Sequence, residues 1–301
     1  MNGFLNLHKP SGWTSHDCVA KVRRLLKIKK VGHGGTLDPA AVGVLPLAVG
    51  RATRLLSYLP GDKAYRATIQ FGRKTSTDDL EGSVLQEAAA DRLQLTQIEA
   101  VIPQFIGAIQ QVPPIYSAVQ VQGKRLYDLA RQGATAETTE IPVRTVTVHS
   151  LDVVSWQPGT YPELTLQIAC GAGTYIRSIA RDLGDQVGTG ATLARLVRTQ
   201  SSGFRLDQSL TLEAIEAQLA EGVLSLIAPG EALQTLPSLT LAADASRRWC
   251  LGQKIVTVTT LPIQQPLRIL DSTGRFLGIG ELNRVEQQLV LSPRRVFATA
   301  S

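Results

Sequence analysis

The chain has 301 residues, 44% of them hydrophobic, and 31 Lys and Arg against 25 Asp and Glu give it a formal charge of +6. No stretch reaches the ~18 uncharged apolar residues that a membrane span needs, the N-terminal segment Met1 to Gly12 lacks the apolar core of a secretory leader, and Cys18, Cys170 and Cys250 are too few and too scattered for a disulfide framework or a metal site. One large or two ordinary domains of a cytoplasmic protein are expected, with a basic excess that suits a polyanion and is also ordinary for solubility.

Thr14-Ser15-His16-Asp17 has the form of a helix start, with Thr14 as cap and Asp17 three residues on. Val19, Val22, Leu25 and Leu26 then recur at helical spacing, while Lys21, Arg23, Arg24 and Lys27 fill the other face and run on to Lys29 and Lys30. Such a run is ordinarily a solvated face; here it leads into a glycine turn, which makes it a candidate to meet phosphates. That turn is Gly32-His33-Gly34-Gly35-Thr36-Leu37-Asp38-Pro39. Its glycines open dihedrals closed to other residues and let another surface come close. Asp38 stands alone on it, beside an apolar run from Ala40 to Val49. On these eight residues Asp38-Pro39 reads first as a plain turn, since both residue types favour turns; chemistry by a lone carboxylate is the second reading.

Arg51 to Leu59 reads as a short helix ended by Pro60-Gly61. In Tyr65 to Phe71 the residues Tyr65, Ala67, Ile69 and Phe71 share one face, which predicts a half-buried strand. Thr75 to Gly82 reads as an acidic loop, and Thr96 with Glu99 as a second capping box ahead of Ile98, Val101, Ile102 and Phe105. Between Gln111 and Gly133, Pro113-Pro114 forbids helix locally. Tyr116 and Tyr127 mix there with Lys124, Arg125 and Arg131, a composition that can stack bases and grip phosphates or form an ordinary surface excursion.

Leu164, Leu166 and Ile168 alternate as a strand running into Gly171-Ala172-Gly173-Thr174; a helix follows with Ile176, Ile179, Ala180, Leu183 and Val187 on one face. Tyr175 and Arg177 therefore sit at a strand-to-helix junction. Neither glycine cluster has the third Gly of a dinucleotide fingerprint or the Lys-Ser/Thr of a P-loop, which disfavours a cofactor dehydrogenase or an NTPase. Arg195-Leu196-Val197-Arg198-Thr199 is a second basic stretch, and a last helix covers Leu212 to Leu219. From Leu239 onward short elements (Ile255 to Val258, Leu267 to Leu270, Phe276 to Gly280, Leu289 to Leu291) suggest a small β domain of about 60 residues, a barrel.

Six motifs carry a resemblance. Lys9-Pro10-Ser11-Gly12-Trp13-Thr14-Ser15, the glycine turn with Gly43-Val44-Leu45-Pro46, Lys63-Ala64-Tyr65-Arg66, Gln111 to Ala118, Gly123-Lys124-Arg125-Leu126-Tyr127 and Gly173-Thr174-Tyr175-Ile176-Arg177 lie in order. Together they resemble the tRNA pseudouridine synthase B family. This chain departs from the family's usual pattern at Gly34 (Thr), His8 (Asp) and Gln120 (Lys). The resemblance implies an α+β fold: a mixed, largely antiparallel sheet flanked by helices over residues 1–235, with an RNA-binding insertion at 106–145, and a small C-terminal PUA-like β-barrel over 238–301.

It implies, further, that the chain isomerises a uridine in the T loop of tRNA, position 55, to pseudouridine without cofactor, metal or nucleotide. Asp38 would be the nucleophile, adding to the uracil ring or to the ribose carbon. Arg177 would pair with Asp38, Tyr65 would stack on the base and assist proton loss at carbon 5, and Leu196 would cover the other face. Tyr175 would lie beside the pocket, His33 would fill the space left in the RNA or touch its backbone, and Lys9 would steady the turn or a phosphate. The expected partner is the T stem-loop of tRNA, bound by a monomer. The competing reading is an RNA-binding chaperone without chemistry, which shares the basic surfaces but does not need Asp38, Tyr65 and Arg177 together. A metal-dependent nuclease is a weaker third, since no clustered carboxylates or histidines occur.

Overall fold

The computed structural model describes residues 1–121, 123–135 and 138–298. Residues 122 and 136–137 of the expected insertion and 299–301 of the expected C-terminal domain lie outside the described residues.

The chain opens with β1 (Gly3–Lys9), α1 (Ser15–Leu26), β2 (Val31–His33) and β3 (Val42–Val49). A 3-10 helix, Gly50–Tyr58, leads to β4 (Lys63–Phe71), the short pair β5 (Arg73–Thr75) and β6 (Val84–Glu87), α2 (Leu95–Val101) and β7 (Gly107–Gln111). The excursion holds β8 (Gln120–Val121), β9 (Lys124–Arg125) and α3 (Leu126–Arg131); β10 (Arg144–Gln157) and β11 (Glu163–Cys170) then return to the sheet. Next come α4 (Ile176–Gln186), β12 (Ala191–Ser201), β13 (Phe204–Arg205), α5 (Leu212–Ala220) and α6 (Pro229–Ala232). The C-terminal part is β14 (Ser238–Leu241), α7 (Ala243–Cys250), β15 (Ile255–Thr257), β16 (Pro266–Asp271), β17 (Phe276–Val285) and β18 (Gln288–Val296).

The main sheet runs β1-β3-β12-β4-β11-β10-β7, with β2 added to β3 and β13 to β12. Every pairing in it is antiparallel except β3 with β12. The expected α+β class, mixed and largely antiparallel, is what the chain adopts. The second sheet, β14-β16-β17-β18-β15, curls as a half-barrel, and α7 places the fully buried Trp249 in its core.

Apolar clusters account for the layers. The helices α2 and α4 cover one part of the main sheet through Ile98, Ile179 and Leu183 on Ile69, Leu164 and Leu166. Over β1 and β3, α1 and α5 set Val19, Val22 and Ile215 against Leu5, Leu7 and Leu47. A third cluster joins the two sheets, since Ile279, Phe276 and Phe297 pack with Phe4, Val44 and Phe204. The excursion has a small core of its own, Ile115, Val119, Leu126 and Ala130.

Local signals explain where elements start. The Thr14–Asp17 capping box is complete in both directions, and Lys27 closes α1 in the left-handed conformation. The second box lies two residues earlier than the sequence suggests: Gln94 and Gln97 form it, not Thr96 and Glu99, so α2 begins at Leu95. At Gly43 the backbone takes φ +105°, and a Cβ there would stand 2.3 Å from the carbonyl oxygen of Arg198. Only glycine lets β12 lie against β3 at this register, where Gly43 faces Arg198.

Candidate active site

Asp38 follows β2 on the turn between β2 and β3, with its side chain 41% exposed. Two hidden bonds stiffen that turn. Ser15 Oγ accepts from the Leu37 amide at 2.9 Å, and the Gly34 amide donates to the Pro46 carbonyl at 2.8 Å. Gly34 does not take a positive φ, and a Cβ on it would meet Pro46 and Leu56 at ordinary distances. The departure from the family's Thr therefore leaves the path of the turn intact.

Arg177, in the first turn of α4, reaches Asp38: Nη2 to Oδ2 is 3.0 Å. Its side chain is only 7% exposed and has further partners. Nη1 lies 3.6 Å from the Asp79 carboxylate and donates to the Thr77 carbonyl at 3.0 Å, and Nη2 donates to the Tyr116 carbonyl at 2.9 Å. The guanidinium thus joins four segments: the glycine turn, α4, the acidic loop after β5 and the root of the excursion. A planar fork of five donors can do this; an ammonium cannot.

Tyr65 and Ala67 on β4 stand opposite Arg198 and Leu196 on β12, so all four share one face of the sheet. Tyr65 is buried in the cluster that holds Leu37, Ala41 and Ile176, and Leu196 packs on its edge. Burial pushes the Tyr65 phenol up, Arg198 pulls it down, and Asp38 is near enough to be felt. The structure therefore brings Asp38, Arg177, Tyr65 and Leu196 to one place.

The other expected residues are arranged around it. Tyr175 is the residue before α4; its amide and carbonyl are both held by the Gln111 side chain, at 2.8 and 3.0 Å, and its ring packs on the excursion's core. Lys9 is fully buried, with Nζ donating to the carbonyls of Pro10, Trp13 and Pro39. Of its two expected roles the phosphate contact is corrected: no ligand reaches an ammonium enclosed in this way, and the Pro39 bond ties it to the turn. His33 ends β2 with its Nδ1 buried and without a hydrogen-bond partner among the described residues, its ring edge-on to His16 at 5.2 Å.

Burial, the neighbouring His16 and Arg198 all lower the His33 pKa below its ordinary 6.5. A depressed folded pKa means stability that is present above about 6.5 and is lost as pH falls toward the folded value. Denaturant titrations of the wild type should lose stability as pH falls below about 6.5, and His33→Asn should flatten that loss. Parallel curves for the two proteins would show that His33 does not titrate on unfolding.

Three participants escape a reading by sequence. Asp79 lies in the loop read only as acidic, Gln111 at the edge of the excursion, and Arg198 in a stretch read only as basic. Arg198 could have been found from its place two residues after Leu196, on what proves to be the buried face of a strand.

The comparison with known proteins decides the family. Residues 23–176 match the model of the TruB family pseudouridylate synthase, N-terminal domain. The chain belongs to this family. Residues 177–233 and 237–297 match two TruB C-terminal models, one of them described as tRNA pseudouridylate synthase B. A tRNA pseudouridine synthase B of Trichormus variabilis is 55% identical over all of both chains. One from Gloeothece citriformis is 54% identical over 99% of this chain and 98% of its own. Among solved structures, a chain of a Cbf5–Nop10–Gar1 complex is similar with a TM-score of 0.76 and 25% identity, covering 99% of this chain and 85% of that one. A chain of an H/ACA RNP bound to a substrate RNA containing 2'-deoxyuridine shares the fold at a TM-score of 0.75 and 23% identity, over 99% and 86%. Membership of the TruB family makes the chain a tRNA pseudouridine synthase, an isomerase of uridine in tRNA, as the six motifs implied. The C-terminal half-barrel is the PUA-like part of that family's architecture.

Proposed function

We propose that the chain converts uridine 55 in the T loop of tRNA to pseudouridine, with Asp38 as nucleophile and no cofactor. The observation that carries this reading is the Asp38–Arg177 pair at 3.0 Å: a buried guanidinium fixes the direction of a carboxylate that is still open to solvent. The reaction exchanges one glycosidic bond for another. The N1–C1' bond breaks, the base turns, C5 bonds to C1', C5 loses its proton and N1 gains one. The carboxylate attacks either C1' or the uracil ring. Tyr65 stacks on the base and assists loss of the C5 proton, Leu196 closes the opposite face, Tyr175 lines the entrance, and His33 occupies the place the base vacates in the RNA. Reaching Asp38 requires extrusion of the nucleotide, at a cost of a few kcal/mol.

Contacts to the RNA offset that cost. Residues 1–235 form the catalytic domain, with 106–145 as its RNA-binding insertion, and 238–301 form the PUA-like domain. The enzyme acts as a cytoplasmic monomer on the T stem-loop. Arg24, Lys27, Lys29 and Lys30 are exposed beside the turn, as are Lys124, Arg125 and Arg131 on the excursion, which supports a phosphate grip. Lys21 and Arg23 are partly spent, on Glu216 and on the Val31 carbonyl. Four phosphate contacts would weaken tRNA binding by roughly 150- to 600-fold between 50 and 300 mM salt; a flat titration would remove these segments from the interface. The decisive test is position mapping: incubate unmodified tRNA transcript with the enzyme and sequence for pseudouridine. Product at position 55, absent from a transcript carrying cytidine there, is expected; product elsewhere rules out the T-loop assignment.

A further inference from the structure

Arg198 is a side chain for which the reaction scheme has no use, and its setting is unusual. It is completely buried in the middle of the main sheet. Its guanidinium bonds go to backbone carbonyls rather than to a carboxylate: Nε donates to Val44 at 2.7 Å, Nη1 to Thr36 at 3.1 Å and Nη2 to Gly35 at 3.1 Å. Thr36 and Gly35 belong to the turn that carries Asp38, and Val44 belongs to the strand that follows it. Two of the five guanidinium donors remain, and the Tyr65 phenol is near enough for each group to shift the other's ionisation. The two residues face each other directly across β4 and β12.

Burying a guanidinium without an ionic partner is expensive, and an apolar residue in the same space would ordinarily serve the fold as well or better. Gly43 deepens the contrast, because the chain also gives up a side chain there so that β3 can lie against the Arg198 backbone. What an arginine does here and a leucine cannot is reach two sides at once. One side is the peptide chain two and three residues before Asp38; the other is the phenol oxygen of Tyr65. A phenol oxygen that accepts from a guanidinium keeps its own O–H free for another partner, so such a bond would also set the phenol's rotation.

We propose that Arg198 is a positioning residue for the isomerisation, locking the Asp38-bearing turn and the Tyr65 phenol into one frame so that carboxylate and phenol meet the flipped uracil at a fixed separation. The proposal rests on the assignment of Asp38 and Tyr65 to the reaction. Arg198 itself touches no substrate, which separates it from Arg177, whose partner is the carboxylate.

Arg198→Lys keeps the charge and loses the fork. With the full chain and unmodified tRNA transcript, the lysine variant should remain folded by circular dichroism and bind tRNA within threefold of wild type, yet form pseudouridine at least 100-fold more slowly in single turnover. In a Tyr65→Phe background the same substitution should slow the reaction much less than it does alone, because the hydroxyl it positions is already gone. A folded lysine variant with a near-wild-type rate, a loss of affinity equal to the loss of rate, or losses that simply multiply in the double variant would each overturn the proposal. Should the lysine variant unfold, Arg198→Gln, which keeps a neutral planar donor, takes its place under the same criteria. If neither folds, Arg198 is a strut of the core and the proposal falls. An unimpaired Asp38→Asn enzyme would instead remove the site assignment itself, whatever Arg198 does.

Discussion

Asp38→Asn should leave a folded, tRNA-binding protein that makes no measurable pseudouridine. The substitution keeps the side chain's volume and removes the charge. Stability should change by under about 1 kcal/mol, because the carboxylate is partly exposed and such pairs contribute little. Arg177 is not stranded by the change, since Asp79 and the carbonyls of Thr77 and Tyr116 still hold it. An amide is no nucleophile here, and losing a nucleophile from an enzyme of this kind lowers turnover by roughly 10⁴-fold or more. Single-turnover assays with saturating enzyme, alongside equilibrium binding of the same transcript, separate the two effects. A rate within tenfold of wild type would take Asp38 out of the chemistry. Loss of binding in parallel with rate would make it a recognition residue.

Arg177→Met should damage both stability and rate. Its guanidinium is the ionic partner of Asp79, whose side chain is only 13% exposed. Breaking a buried pair by deleting one member costs about 3–5 kcal/mol, because the other charge stays behind. In a chain of this size the thermal midpoint should fall by roughly 5–10 °C. Adding Asp79→Asn should return part of that stability, since the stranded charge is then gone, without restoring pseudouridine formation. Arg177→Lys should be intermediate in stability and still slower than wild type by at least about 100-fold, because one ammonium cannot serve two carboxylates and two carbonyls on different segments. The prediction fails if the Met variant melts with the wild type, or if the Asp79→Asn addition restores turnover.

Much of this arrangement can be read from short stretches of sequence, where one local rule decides. The Thr14–Asp17 box, the alternation of β4 from Tyr65 and the apolar face of α4 all formed as expected. The turn at Gly32 to Pro39 could be recognised from its glycines, and the neighbourhood of Asp38, Tyr65 and Arg177 from the family resemblance. Long-range pairing could not be read. Strand β12 read only as a basic stretch because Arg195, Arg198 and their polar neighbours blur its alternation, yet it lies between β3 and β4 in the main sheet. The Arg177–Asp79 contact joins residues far apart in sequence, and nothing in the acidic loop singles out Asp79 from Asp78, which pairs with Arg181 instead. Helix α7 was missed because eight residues are too few to hold a helix on their own; packing of Trp249 in the half-barrel holds it in place.

The apolar seam in which Ile279, Phe276 and Phe297 meet Phe4, Val44 and Phe204 has a consequence for anyone who would divide this enzyme. The seam is shared property: each half supplies the wall on which the other closes. A chain ended before residue 238 would carry a raw greasy flank along β1 and β3, the strand that leads out of the Asp38 turn. Such a fragment would be expected to clump before its chemistry could be measured, so the intact chain behaves as one cooperative body and not as a catalyst with a detachable handle.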